Sequence, residues 1–210
     1  MEILIDPSDP KTAYANLSRW GLYRSRDGGE SWSPLPLAST TGFAEAHSEP
    51  TTLYATTLQG EKSGTLFRVW KSEDAGDTWH EVTPSGDHPF TNVTIDPSDP
   101  SVVYASGLDA GLWTTRDGGA TWAQVSDEVE GTGPGSVLVD PTDPGILYVS
   151  MGKRSLSPAE GVFVSNDGGA TWTQLGDGFE GSSGPLSLSS SGGTLHAGSQ
   201  CGGEYHLTLP

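Results

Sequence analysis

Residues 115–122 read "TRDGGATW", and near-copies stand at 25–32 ("SRDGGESW"), 72–79 ("SEDAGDTW") and 165–172 ("SNDGGATW"). Each is Ser/Thr-x-Asp-x-Gly-x-Ser/Thr-Trp, with Ala75 in the second copy taking a place that the others give to Gly. In such a stretch the Asp carboxylate accepts hydrogen bonds from backbone N–H groups just ahead of it, an Asx-type turn. The Gly supplies the positive φ at which a hairpin folds back. The hydroxyls close the turn from either side, and the Trp opens an outer strand and packs its ring between neighbouring sheets. The octamer is therefore scaffold: Asp27, Asp74, Asp117 and Asp167 are turn formers rather than catalysts, and Trp32, Trp79, Trp122 and Trp172 are wedges.

A second phrase alternates with the first. "IDPSDPKTAYA" (5–15) returns as "IDPSDPSVVYA" (95–105) and "VDPTDPGILYV" (139–149), with worn copies "AHSEPTTLYAT" (46–56) and "LSSSGGTLHAG" (188–198). Its markers are Tyr14, Tyr54, Tyr104, Tyr148 and His196. Two landmarks per unit at a period of about 45 residues indicate a propeller or solenoid. Within the third unit, "TNVTID" (91–96), "VVYAS" (102–106), "GLWTTR" (111–116) and "TWAQV" (121–125) alternate polar and apolar residues between Gly, Pro and Asp punctuation. These are four short strands, and no segment keeps a helical period. A four-stranded meander repeated in this way predicts an all-β fold, a five-bladed β-propeller of antiparallel blades. The blades fall near 1–36, 43–84, 91–126, 135–176 and 185–210 of a single domain spanning 1–210, the last one incomplete. The other expectation is a fragment of a larger six- to eight-bladed ring.

The octamer resembles the Asp-box, or BNR repeat, of sialidases, two-domain xyloglucan-degrading hydrolases, sortilin-type receptors and photosystem assembly factors. The resemblance covers the first four blades. It implies a propeller whose boxes lie at the periphery, away from the ligand site, and it fixes the function only loosely.

Strand order separates two rims. The DPSDP turns and the octamers share one, short and stereotyped. The loops after each second strand and the blade connectors share the other, and variable loops on a rigid frame are where function concentrates. On that rim fall "NLSRWG" (16–21), "LQGEKSG" (58–64), "GLDAG" (107–111), "MGKRSLSPAEG" (151–161) and the connector "LASTTGF" (37–43). The candidate ligand-binding residues there are Trp20, Arg19, Asp109, Glu130, Lys153 and Arg154, stacking and charged groups that suit a glycan or a protein ligand. Phe43, Phe90 and Phe179 fall on the same rim, as ligand platforms or as plugs between blades.

No catalytic residue stands out. A sialidase-type site needs an arginine triad and an Arg-Ile-Pro motif; the chain lacks the motif, and Arg24, Arg26, Arg68 and Arg116 lie on third strands leading to the scaffold rim. The xyloglucanase resemblance implies two propellers, each giving an Asp across a cleft. The expected function is therefore a non-catalytic glycan- or protein-binding scaffold; the alternative is a glycoside hydrolase, sialidase-like or xyloglucanase-like, or a fragment of one, for which rim carboxylates about 5–10 Å apart would serve. No G-x-S-x-G supports a serine nucleophile.

Composition bounds the partners. The 210 residues hold 27 acidic and 10 basic side chains, a net charge of −17 that repels phosphate backbones and argues against nucleic acid. Cys201 is the only cysteine, so neither an internal disulfide nor a thiolate zinc site is expected. No cofactor or metal is expected; calcium is the one ion that the acidity leaves open, although no EF-hand loop is present. No apolar run reaches a membrane span, and "MEILIDPSDP" is not a signal peptide, which suggests a cytoplasmic protein or a trimmed secreted domain. A monomer is expected, or a homodimer in which a second chain completes the last blade.

Overall fold

The computed structural model describes residues 2–17, 20–61, 64–107, 110–125, 134–151, 161–175, 187–191, 194–199 and 203–208. Among them there is no α-helix; every regular element is a strand. The first sheet is β1 (Glu2–Ile5), β2 (Ala13–Asn16), β3 (Leu22–Ser25) and β4 (Ser33–Pro34), paired in chain order. The second is β5 (Thr40–Glu45), β6 (Leu53–Glu61), β7 (Gly64–Ser72) and β8 (His80–Glu81). The third is β9 (Asn92–Asp96), β10 (Asp99–Gly107), β11 (Gly111–Thr115) and β12 (Ala123–Gln124). The fourth is β13 (Pro134–Val139), β14 (Leu147–Met151), β15 (Gly161–Ser165) and β16 (Thr173–Leu175). The fifth has three strands, β17 (Ser187–Ser191), β18 (Thr194–Ser199) and β19 (Gly203–Thr208).

Contacts divide the chain into two compact units, residues 1–105 with 114–122, and residues 106–113 with 123–210. In the first unit the cores lie between consecutive sheets. Tyr14, Leu22, Leu35 and Leu37 of the first sheet and its connector meet Phe43, Leu53 and Ala55 of the second, and Trp79 packs against them. Tyr54 and Ala46 of the second sheet meet Val93, Ile95 and Val103 of the third, with Trp122 packed alongside. In the second unit Tyr148 and Val162 of the fourth sheet meet Leu195 and Ala197 of the fifth. The second-strand tyrosines 14, 54, 104 and 148 are all buried. Two of them also tie one sheet to the next: Tyr14 Oη donates to Ala75 O at 3.5 Å and Tyr54 Oη to Pro100 O at 3.3 Å.

Two loop expectations are corrected. Residues 58–61 are strand rather than loop, since β6 and β7 stay paired from Leu53↔Ser72 to Glu61↔Gly64. The 37–43 connector ends early, because β5 starts at Thr40, and Phe43 is only 3% exposed against the Tyr14 ring. Phe90 is likewise 0% exposed. Both are plugs rather than platforms, because an aromatic side chain beside a sheet junction lowers its free energy most by filling it.

Candidate functional site

The octamers build one recurrent clasp. In each, the leading hydroxyl donates to the Asp Oδ1 (Ser25, Ser72, Thr115 and Ser165, at 2.7–2.8 Å) and accepts the N–H of the Gly four residues on. The trailing Ser or Thr donates its N–H to Oδ1 and its hydroxyl to Oδ2. These hydrogen bonds, led by the trailing hydroxyl, hold Asp27, Asp74, Asp117 and Asp167 down to about 2. The backbone of each turn is left-handed where Gly permits it, and Ala75 adopts a φ of 59°. Each clasp also reaches the other turn of its sheet: the N–H of Gly28, Ala75, Gly118 and Gly168 donates to the carbonyl of Lys11, Thr51, Ser101 and Gly145 respectively. The Asp carboxylate and the two hydroxyls of each box are engaged with one another and with the turn backbone, which is the chemistry of a frame.

The wedges differ along the chain. Trp122 Nε1 donates to Val82 O across the junction at 2.7 Å. Trp32 and Trp79 instead donate to Gly29 O and Gly76 O of their own turns, and Trp32 remains 37% exposed.

The β2–β3 loop of the first unit is built differently. Trp20 is 80% exposed on the β2–β3 loop, which is closed by hydrogen bonds from Leu17 N to Gly21 O and from Trp20 N to Leu17 O. Gly21 has a φ of 91°, and a Cβ there would stand 2.6 Å from Leu37 O, so only glycine lets this loop lie against the 36–39 connector. Leu58 N donates to Ser39 O and fastens the same connector to β6. The connector then forms one wall of an open cleft of about 460 Å³. Pro36, Leu37, Ala38 and Ser39 face Gln59, Trp70, Asp77, Thr78 and Trp79 across it. The Trp70 N–H donates to Thr57 Oγ1 at 2.9 Å and that of Trp79 to Gly76 O, and both partly buried rings pack on the core of the first two sheets while lining the cleft. The Asp77 carboxylate is held at 2.7 Å by Arg24, which also donates to Ala75 O. Two indoles beside an amide, a hydroxyl and a carboxylate make an amphipathic recess of the kind that takes small polar ligands with apolar faces.

Of the residues that the sequence nominates for binding, Trp20 does not line the cleft; its loop lies against the 36–39 connector that does. Arg19, Asp109, Glu130, Lys153 and Arg154 lie outside the described residues, as do Phe179 and Cys201. Gln59, Trp70 and Asp77 were not nominated. Trp70 sits mid-strand, where alternation marks a residue for a sheet face without saying whether a neighbour covers it. The arginines do not form a triad among the described residues: Arg24 pairs with Asp77, and Arg68 with Glu81 at 3.1 Å. One carboxyl group is unusual. Glu45 Oε1 is buried and has no hydrogen-bond partner among the described residues, and burial, reinforced by Asp6, pushes its carboxyl up to about 7. No group of three or more His, Cys, Asp or Glu among the described residues could hold a metal ion. No helix among them is long and apolar enough to cross a membrane.

Comparison with known proteins places this architecture. The BNR/Asp-box repeat model matches residues 23–34, and the model described as "Sortilin, neurotensin receptor 3" (Sortilin-Vps10) matches residues 67–183. These are Asp-box β-propeller proteins. The second match covers more than half of the chain, and the chain belongs to the Sortilin-Vps10 family. A xyloglucanase of Paenibacillus sp. is 26% identical over 181 residues, which are 73% of this chain and 17% of the relative. The GH74 xyloglucanase structure from Xanthomonas campestris superposes with a TM-score of 0.74 at 21% identity, over 98% of this chain and 36% of that one. A chain of a nidogen/laminin complex superposes with a TM-score of 0.70 at 16% identity, over 99% of this chain and 74% of that one. The chain thus spans about a fifth or less of the length of its curated relatives, 14–21%. The fold is all-β, built from the antiparallel sheets of a β-propeller, and corresponds to part of larger propellers.

Proposed function

We propose that the chain is a carbohydrate-recognising propeller module that binds glucan-type oligosaccharides without cleaving them. The observation that carries this reading is the cleft in which Trp70 and Trp79 stand beside Gln59, Thr78 and Asp77, close to the loop that holds up Trp20. Pyranose rings combine an apolar face with a rim of hydroxyls. An indole covers the face while an amide and a carboxylate engage the rim. The similarity to xyloglucanases supports a xyloglucan- or cellulose-derived oligosaccharide as ligand. The paired arginines and the self-satisfied Asp-box carboxylates weigh against a sialidase-type centre.

Isothermal titration of the chain with xyloglucan heptasaccharide and cellotetraose tests the proposal, run beside a reducing-sugar assay on xyloglucan. Binding in the micromolar-to-millimolar range, lost in Trp20→Ala or Gln59→Ala and with no sugar released, is the expected result. Release of reducing sugar would favour the second reading, a portion of a glycoside hydrolase, which rests on the 26% identity to a xyloglucanase over 73% of the chain. Absence of binding to either oligosaccharide would refute the carbohydrate reading and leave a protein ligand, as the nidogen/laminin neighbour suggests.

A further inference from the structure

We infer that His196 and His206 form a two-histidine site on the fifth sheet for a divalent transition-metal ion of tetragonal preference, copper(II) above all. The two residues lie directly opposite each other on the antiparallel strands β18 and β19. Their Nδ1 atoms are 2.8 Å apart, and the rings meet edge to face at 89° with centroids 4.7 Å apart. The site replaces a feature of the other repeats. His196 holds the place of Tyr14, Tyr54 and Tyr148, whose cross-strand partners are Arg24, Lys71 and Val164. In the fifth repeat both members of the pair have become imidazoles.

The pair brings two imidazole nitrogens within reach of one ion. Two nitrogens bound cis at about 2.0 Å in a square-planar or tetragonal field lie about 2.8 Å apart, whereas a tetrahedral zinc centre holds them about 3.3 Å apart. The observed 2.8 Å is the length of an N–H···N hydrogen bond, and turning either ring aims both lone pairs at one ion. A pair this close has one nitrogen donating and the other accepting, and an ion that takes both Nδ1 lone pairs requires the donor ring to carry its proton on Nε2 instead. The Irving–Williams order independently places copper(II) above nickel and zinc at such ligands. The approach is open, because His206 is exposed, and the net charge of −17 concentrates cations near the surface.

Copper(II) chloride titrated into the full chain, followed by calorimetry and electron paramagnetic resonance, tests the assignment. One ion per chain is expected, with an axial spectrum showing two nitrogen ligands and a melting temperature that rises on loading. His206→Gln should weaken binding at least about tenfold and abolish the thermal shift. His196→Gln should do the same, and because His206 is exposed the first variant keeps the test valid if the second fails to fold. Zinc should bind more weakly than copper. Unchanged affinity and spectrum in His206→Gln would place the copper elsewhere on the chain and overturn the assignment, as would no binding at micromolar copper.

Discussion

At the scale of single residues, two kinds of carboxylate respond to pH in opposite directions. The Asp-box residues are held down to about 2 in the folded chain, chiefly by the trailing hydroxyl, and have ordinary values near 4 when unfolded. Their contribution is therefore complete above about pH 4 and is lost as the pH falls through the folded value. Thermal melts between pH 5 and 2 should show this acid loss, and Asp74→Asn should flatten it while lowering stability at neutral pH. Glu45 has the opposite sign. Its folded value is raised to about 7 by burial, with Asp6 adding to the effect, so the chain is most stable while that carboxyl is protonated and loses stability as the pH rises towards 7. Glu45→Gln should remove that slope and make the protein more resistant to urea at pH 8 than the wild type. The clasp was legible in the sequence, because an Asx turn is local chemistry spelled out in eight consecutive letters. Glu45 was not, because its shift comes from neighbours distant along the chain.

At the scale of strands and sheets, stability depends on how closely neighbouring sheets approach. Trp122, which packs on the Tyr54–Val93 core and donates to Val82 O, should cost about 3–5 kcal/mol when changed to Ala. Trp32→Ala should cost clearly less, since that ring is more than one-third exposed. Glycines give a second contrast. A Cβ on Gly42 would lie 2.8 Å from both Asn92 Cα and Thr91 O, whereas one on Gly60 meets nothing within 4 Å. Denaturant midpoints should fall sharply for Gly42→Ala and barely move for Gly60→Ala. Strand order and count followed from the alternation around each Tyr and each box. Strand ends did not: polar residues such as Gln59 and Glu61 look like loop in the sequence, yet they extend the β6–β7 ladder, because backbone pairing with Leu66 and Gly64 overrides side-chain composition. Phe43 and Phe90 were ambiguous for the same reason, since sequence position fixes the rim but not what covers a ring.

At the scale of the whole molecule, 27 acidic residues against 10 basic ones produce self-repulsion that salt relieves. Raising sodium chloride from about 10 mM to about 0.5 M should lift the melting temperature by a few degrees, and a fall would show that ion pairs such as Arg24–Asp77 dominate instead. The repeat count and the propeller class were visible at this scale from periodicity, whereas the cleft was not. It is made by a connector, a hairpin and a box from two successive repeats, and no single repeat contains it. The bond from each box to the DPSDP-type turn has a bearing on biosynthesis. Gly28 to Lys11, and Ala75 to Thr51, join partners that both belong to one copy of the motif. A nascent polypeptide that has just released Trp79 from the ribosome already holds both halves of two such fasteners, so local closure is expected to begin before the C-terminal half is made.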